Sequence, residues 1–381
     1  MATITQAQPE TAAEAARILG AADRAGQNVR LRGAGTKLGW GRPMPGADLE
    51  LGTSRLDTIT EHNRGDLTAV LEAGVPFAVA QATFAQADQM LALDPPLGED
   101  SAATIGGVVA TADSGPLRHR YGAPRDLVIG MTVALADGTV AKSGGKVIKN
   151  VAGYDLAKLH AGAFGTLGLI LSVSVRLHPL HPERTTAIGT ARDSQALAAA
   201  AVAMAAMPFE FDALDVAWRG GRGGILMRCS GSEHASRGAR AAHRLSELGL
   251  AGVDTLTADE PLWERQRAGQ RSRDGALVRL AAPPAALGAV LQAVDGVHGT
   301  LVGRAALGIS YVELAPDSVA TLRVALPPGT VAVLLDAPAA TRSEGDPWGG
   351  GDERAIALMR SVKTRFDPAG TCNRGLFVDG I

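Results

Sequence analysis

Apolar residues recur at helical spacing over residues 11–25, and residues 28–32 then read as a short strand that runs into glycines. Strand-like stretches follow at residues 48–51 and 68–72, the second closed by Gly74 and Pro76. Residues 77–89 predict a helix with Ala and Phe on one face. Residues 106–117, rich in small side chains, predict a loop and helix packed close to something bulky. Residues 127–134 and 139–141 flank Asp137-Gly138, a strong β-hairpin signal because both turn residues tolerate positive φ. Residues 157–163 read as helix, and residues 167–177 alternate as a strand does.

The pattern changes at His178-Pro179-Leu180-His181-Pro182, where prolines stiffen the chain and mark a domain boundary. Beyond it, helices predicted at residues 194–207, 234–248 and 285–293 alternate with strands at 213–218, 224–229, 276–280, 301–302 and 308–313. That alternation predicts an α/β layer, two β-α-β units on one antiparallel sheet. Residues 341–352 form a Gly-, Asp- and Pro-rich loop, residues 353–365 a closing helix, and residues 366–375 a structured tail. The expected architecture is α+β. Residues 1–180 form a first domain, residues 185–340 a cap, and residues 350–381 a helix and tail that return to the first domain. No internal repeat is evident in the sequence.

Composition narrows the function classes. The chain has 381 residues, room for two or three domains, and a formal charge of −2. That balance, with aromatics at 4%, gives neither a field for nucleic acid or anionic membrane nor a platform for stacking bases. Cys229 and Cys372 are the two cysteines, too few for a disulfide framework, a Cys-based zinc site or an iron–sulfur cluster. Such sparse usage fits a reducing compartment. Residues 1–20 lack a basic segment leading into an apolar one, and the Ala-rich run 196–207 is too short to span a bilayer. A soluble cytoplasmic protein is expected, associated with a membrane only through partners.

Glycine is abundant, at 47 residues, and three glycine segments carry the candidate chemistry. Arg32-Gly33-Ala34-Gly35-Thr36-Lys37 follows a strand. Its glycines can take positive φ, so that successive N–H groups converge on one anion, while Thr36 adds a hydroxyl and Arg32 and Lys37 add charge. It matches neither the Walker nor the Rossmann pattern, and alone it reads as a tight turn. Ala103-Thr104-Ile105-Gly106-Gly107, continuing to Ser114-Gly115, can lie flat against a large planar ligand. Gly165-Thr166-Leu167-Gly168 precedes an apolar strand. Each segment also suits close helix–sheet packing; three together point to a ligand.

Taken together these segments resemble the FAD-binding domain of the family that includes vanillyl-alcohol oxidase and p-cresol methylhydroxylase, a two-subdomain PCMH-type domain. Asp94-Pro95-Pro96, Ser114–Arg118 and Arg125-Asp126 belong to the likeness. The phrase from Gly144 to Leu156 (GGKVIKNVAGYDL), with Leu71–Gly74 and Gln89–Leu91, resembles the FAD-binding subunits of glycolate oxidase. The likeness runs to about residue 180 and returns at Phe366–Gly370. It implies an FAD diphosphate cradled by Arg32, Gly33, Ala34, Gly35, Thr36 and Lys37. Pro96, Thr104, Gly106, Gly107, Ser114 and Gly115 would lie on the cofactor, as would Gly165, Gly168 and Ile170 through their backbone. Asn373 matches the asparagine of the family's Asn-Pro-Gly tail, although Arg374 replaces the proline. Covalent members often carry histidine in the first loop where Thr36 stands, so non-covalent FAD is expected.

The resemblance further implies oxidation of a small-molecule 2-hydroxy acid in a complex with a paralogous FAD subunit and an iron–sulfur subunit. A stand-alone FAD-dependent dehydrogenase such as D-lactate dehydrogenase, and a non-catalytic structural flavin subunit, are the alternatives. No catalytic residue is assigned. The eight histidines form no cluster in the cap half; His119, between Arg118 and Arg120 near the flavin segment, could accept a proton, against a default of a hydrogen-bonded histidine at the surface or one layer behind the site. Arg304 and Glu313, on neighbouring cap strands, could bind a carboxylate and accept a proton, against a default of a solvated ion pair.

Overall fold

The structure is a computed structural model that describes residues 4–146, 155–272 and 274–381. Residues 147–154 of the glycolate oxidase-like phrase therefore lie outside the described residues.

The first helix, Ala12–Arg24, starts where the Thr11 hydroxyl accepts from the Glu14 amide at 3.1 Å, and it buries Ala15, Ala16, Leu19 and Ala22 on one face. That face covers a three-stranded parallel sheet in the order Thr5–Ala7, Leu49–Gly52, Val29–Arg32. Beside it stands a five-stranded antiparallel sheet in the order Ile59–Asn63, Thr68–Glu72, Leu169–Arg176, Val128–Ala134, Val140–Gly144. Its central strand is sandwiched. Leu169 and Leu171 pack with the first helix, whereas Ile170, Val173 and Val175 pack with helices Phe77–Ala85 and Ile105–Thr111. A register irregularity between Thr132 and Val133 of the neighbouring strand accompanies this change of parity.

The hairpin forms as expected: Ala134 pairs with Val140, Gly138 sits at φ 88°, and the Asp137 carboxylate accepts from the Thr139 amide at 2.8 Å. The helix expected at 77–89 ends earlier, at Ala85. Asp88 then takes φ 53°, and Gln89–Met90 pairs antiparallel with His178–Pro179. The stiff segment at the boundary is thus laced to the first domain by strand pairing.

Residues 184–336 supply one antiparallel sheet of eight strands. Its order is Ala251–Leu256, Arg184–Ala191, Arg222–Ser230, Ala213–Arg219, Thr300–Arg304, Ile309–Leu314, Ala276–Ala281, Val331–Asp336. Each half is a β-α-β-β-α-β unit with the same internal order, and the two meet edge to edge where Ala213–Arg219 pairs with Thr300–Arg304. The repeat that the sequence conceals is therefore present in the fold. In the cap three strands escape sequence reading: Arg184–Ala191, Ala251–Leu256 and Val331–Asp336. The second is an exposed edge without an apolar stripe. Helices Glu260–Ala268 and Val319–Ala325 escape as well.

The long helices lie on one face of this sheet over Leu214, Val216, Ile225, Val278, Leu301, Val312 and Leu334. The alternate residues Leu277, Val302, Ile309, Tyr311 and Leu335 face the other way and pack on Trp40 and Phe164 of the first domain. The closing helix Glu353–Phe366 leads to a tail that returns to the parallel sheet, where Val29 donates to the Thr371 carbonyl at 2.8 Å and Asn373 donates to that of Val29 at 2.9 Å. Among the described residues, no helix is long and apolar enough to cross a membrane.

Candidate cofactor cleft

The strand Val29–Arg32 ends the parallel sheet, and the chain leaves it at Gly33. Gly35 takes φ 84°, and among the described residues the backbone N–H groups of all five residues from Gly33 to Lys37 are without a protein acceptor. Five successive open donors at a sheet edge form a concave anion cradle, and leaving them unmet would be costly. The loop's two cations are committed elsewhere. The Arg32 guanidinium donates to Glu50 at 2.7 Å, and Lys37 Nζ lies 3.4 Å from Asp113 Oδ2. Both residues nevertheless line the cleft with the loop.

The second glycine segment abuts the first. Thr104 caps helix Ile105–Thr111 by accepting from the Gly107 amide at 3.2 Å, and a Cβ on Gly33 would run into the same hydroxyl. A Cβ on Gly106 would come within 2.7 Å of the Ala73 Cβ. The third segment turns at Gly165 (φ 71°) and Gly168 (φ 140°), both conformations that favour glycine. Asn373 of the tail ties the first and third together. Its Oδ1 accepts from the Leu31 amide at 2.8 Å and its Nδ2 donates to the Phe164 carbonyl at 2.7 Å. Asn373 itself sits at φ 43°, so the chain turns there without a proline, and exposed Arg374 folds back onto the Gly370 carbonyl at 2.7 Å.

These segments enclose a cleft with about 1140 Å³ of empty space, including its solvent-open part. Arg32, Gly33, Ala34, Gly35, Thr36 and Lys37 line it, as do Thr104, Gly106, Gly107, Gly165, Gly168, Ile170 and Asn373. Pro96, Ser114 and Gly115 lie elsewhere, at the junction with the cap. The Pro96 carbonyl accepts from Arg271 at 3.0 Å, the Ser114 hydroxyl from Arg118 at 3.2 Å, and the Gly115 carbonyl from Arg304 Nε at 3.0 Å. Leu31, Thr53, Ala73, Trp40 and Phe164 line the cleft without having been singled out. Trp40 had a signal available, an aromatic three residues beyond the first glycine loop.

The junction is built from charges. Arg304, 1% exposed, also donates to Asp215, 0% exposed, at 3.0 Å and to Gln270. It is no solvated partner of Glu313: in the paired strands Arg304 stands opposite Ile309 and Glu313 opposite Thr300, at the far end. The two do not form one substrate site. Burial raises Asp215 to about 6 despite Arg304, and burial raises Asp94 to about 7 against the pull of Arg267. Arg120 donates to Asp212 at 2.6 Å across the same junction. His119 Nδ1 is buried there without a partner, burial lowers its pKa, and it does not line the cleft.

A row of open amides, glycines whose Cβ positions are already taken, and a long cleft fit an extended dinucleotide with a diphosphate at its centre. The fold and this cleft define a flavoprotein that holds FAD in a two-part α+β domain. Residues 5–144 match the family described as FAD binding domain. The chain is 38% identical over 122 residues to the glycolate oxidase subunit GlcE of Escherichia coli, covering 32% of this chain and 34% of that protein. It is 38% identical over 125 residues to the glycolate oxidase subunit GlcD of Bacillus subtilis, covering 32% of this chain and 26% of that one. It is 32% identical over 146 residues to the mitochondrial D-lactate dehydrogenase [cytochrome] 1 of Saccharomyces cerevisiae, covering 38% and 24%. The chain thus spans about a quarter to a third of the length of these relatives. A solved alkyldihydroxyacetonephosphate synthase superposes with a TM-score of 0.69 at 14% identity, covering 97% of this chain and 76% of that one, which shows the shared fold.

Proposed function

We propose that this chain is the FAD-binding subunit of a glycolate-type dehydrogenase, taking part in oxidation of a 2-hydroxy acid and passing electrons to a partner. The observation that carries the reading is the cleft itself. It is lined by the loop of open backbone amides and by Lys37 and Trp40, and Trp40 also packs on the cap sheet. The relatives named for glycolate and D-lactate support the substrate class.

Bound FAD would accept the hydride. The chain's own part is to hold the diphosphate on the amides of residues 33–37, to fix the tail across the cleft through Asn373, and to keep water from its inner end with Trp40 and Phe164. Cys229 and Cys372 are both buried and too few to ligate an iron–sulfur cluster, so onward transfer needs an acceptor outside this chain. A paralogous flavin subunit and an iron–sulfur subunit fill that role in the proposal, and any membrane association runs through them. With Thr36 where covalent relatives often carry histidine, the FAD is held non-covalently.

The test is to purify the chain alone and with its co-expressed neighbours. Flavin content, release of flavin on denaturation, and bleaching by glycolate and D-lactate are then measured. The proposal expects yellow protein, complete release, and turnover with an artificial acceptor that rises strongly in the complex. Vigorous turnover by the isolated chain would favour a stand-alone dehydrogenase. Colourless protein that still assembles would mean a structural subunit.

A further inference from the structure

The closing helix Glu353–Phe366 has 14 residues and buries none of them fully. Among the described residues, every other helix of eight residues or more buries at least two. Helices in folded proteins owe most of their stability to one packed face, so this one is short of a neighbour. Its inner edge is fixed. Ile356 packs with Trp348, Val378 and Ile381, and Lys363 donates to the carbonyls of Thr166 at 2.7 Å and Cys372 at 3.0 Å. Helical spacing puts Ala355, Leu358, Met359, Val362 and Phe366 on the adjoining flank. There Leu358 is 66% exposed and Met359 41%.

Phe366, at the end of that flank, meets His160 edge-on with ring centres 5.6 Å apart, which sets the short helix Ala157–His160 beside it. Leu156 and Leu159 of that segment are exposed as well. Of the eleven large apolar side chains exposed among the described residues, four therefore gather on two neighbouring segments. Single exposed apolar residues are ordinary, whereas a cluster of them marks a contact surface.

Charge and position indicate what covers it. Arg360 pairs with Asp379 and Lys363 with Asp367, but Arg354 and Arg365, at the outer border of the flank, have no ion-pair partner among the described residues. An apolar strip bordered by open guanidinium groups fits a protein surface whose own apolar patch is bordered by Asp and Glu. A lipid surface fits less well, because Asp352 and Glu353 open the same helix and would meet anionic headgroups. The helix also lies close to the cofactor cleft. Lys363 bonds to Thr166, in the glycine segment whose Gly165 and Gly168 line the cleft. Phe164, another lining residue, meets Trp348 with ring centres 5.0 Å apart, and Trp348 packs with Ile356. Electron transfer weakens steeply with distance, and an acceptor seated on this helix is one protein layer from the cleft.

We propose that the open flank of Glu353–Phe366, continued onto Leu156 and Leu159, is the docking surface for the electron-accepting iron–sulfur subunit. This rests on the electron transfer to a partner proposed above and adds where that partner sits. Leu358 and Met359 enter an apolar patch of the subunit, and Arg354 and Arg365 meet its carboxylates.

The FAD-loaded chain is titrated with the purified iron–sulfur subunit by calorimetry, and its hydrogen exchange is followed free and bound. Wild type is expected to bind, with exchange slowed over residues 354–366. Leu358→Asp should weaken binding at least about tenfold, the loss of a central apolar anchor. The double variant Arg354→Glu/Arg365→Glu should weaken it at low salt and flatten its salt dependence. Val202→Asp, 51% exposed on the cap helix Ser194–Ala205, should bind as wild type does. Flavin content should stay unchanged in all of them, which separates docking from folding. Should Leu358→Asp lose its flavin, Leu358→Ala and the arginine pair carry the same decision. No binding by loaded wild type would overturn the proposal, as would an affinity indifferent to Leu358→Asp or an equal loss in Val202→Asp. Two other outcomes would reassign the flank and overturn the proposal too. One is sedimentation with phosphatidylglycerol vesicles that Leu358→Asp abolishes, and the other is a dimer of this chain that Leu358→Asp breaks. Bleaching by glycolate without subunit binding through this flank would sink the docking surface and leave the oxidation reading standing. Subunit binding lost in Leu358→Asp, without bleaching by any 2-hydroxy acid, would do the reverse.

Discussion

The glycine loop at residues 33–37 and the junction with the cap meet their polar obligations in opposite ways. The loop offers open backbone amides and has its two cations tied back to Glu50 and Asp113. The cap junction is held by side-chain pairs: Arg304 on Asp215 and Gln270, Arg271 on Asp113, Arg120 on Asp212. Backbone recognition tolerates changes of side chain but not added volume. Side-chain recognition tolerates small volume changes but not the loss of one partner. Mutations should therefore separate cleanly, with the loop governing flavin and the junction governing docking of the two domains.

The largest effect is expected at the junction. Arg304→Met would leave buried Asp215 without its cation and strip the Gly115 carbonyl and Gln270 of a donor. Breaking such a pair costs about 3–5 kcal/mol, read by chemical denaturation of the apo-protein. The double variant Arg304→Met/Asp215→Asn should recover a substantial part, and full additivity would deny the coupling. Next comes Gly106→Val, whose Cβ would meet Ala73 at the back of the cleft. Overpacking there costs about 1–3 kcal/mol, and flavin content should fall far more than the melting temperature suggests. An equally yellow variant would break the comparison from the loop side.

Asn373→Ala removes the bonds to Leu31 and Phe164. Leaving those groups unmet costs about 1–3 kcal/mol, with a matching loss of FAD affinity by fluorescence titration. The smallest effect is one of pH. Burial lifts Asp94 from its ordinary 3.8 to about 7, so the folded state holds a proton that the unfolded chain has lost between those values. Its contribution to stability is full below 3.8 and is lost as pH rises through 7. Thermal melts from pH 5.5 to 8.5 should decline less steeply in Asp94→Asn than in wild type.

Much of the first domain was legible because its signals are local. A capping Thr11, an Asp-Gly turn at 137–138 and glycines at 33, 35, 106 and 165 each act through their immediate backbone. The cap was read only in part. Its edge strand Ala251–Leu256 has no apolar stripe, and its repeat lies in topology with no matching residue pattern. Ser114 and Gly115 do not line the cleft, for a related reason. Small residues also mark close packing, and a Cβ on Gly115 would run into the Asp94 carbonyl, a contact with the chain and not with a ligand. Arg271 carried no local signal at all. Its place beside Trp40 and Asp113 exists only once the cap is docked.

In the proposed function the open amides of residues 33–37 receive the diphosphate of FAD. Hydrogen exchange of apo-protein with and without added FAD tests it most directly. Strong slowing confined to residues 33–37, with lesser slowing at 104–107 and 165–170, is the predicted result. Tight FAD binding that leaves exchange at residues 33–37 unchanged would contradict it.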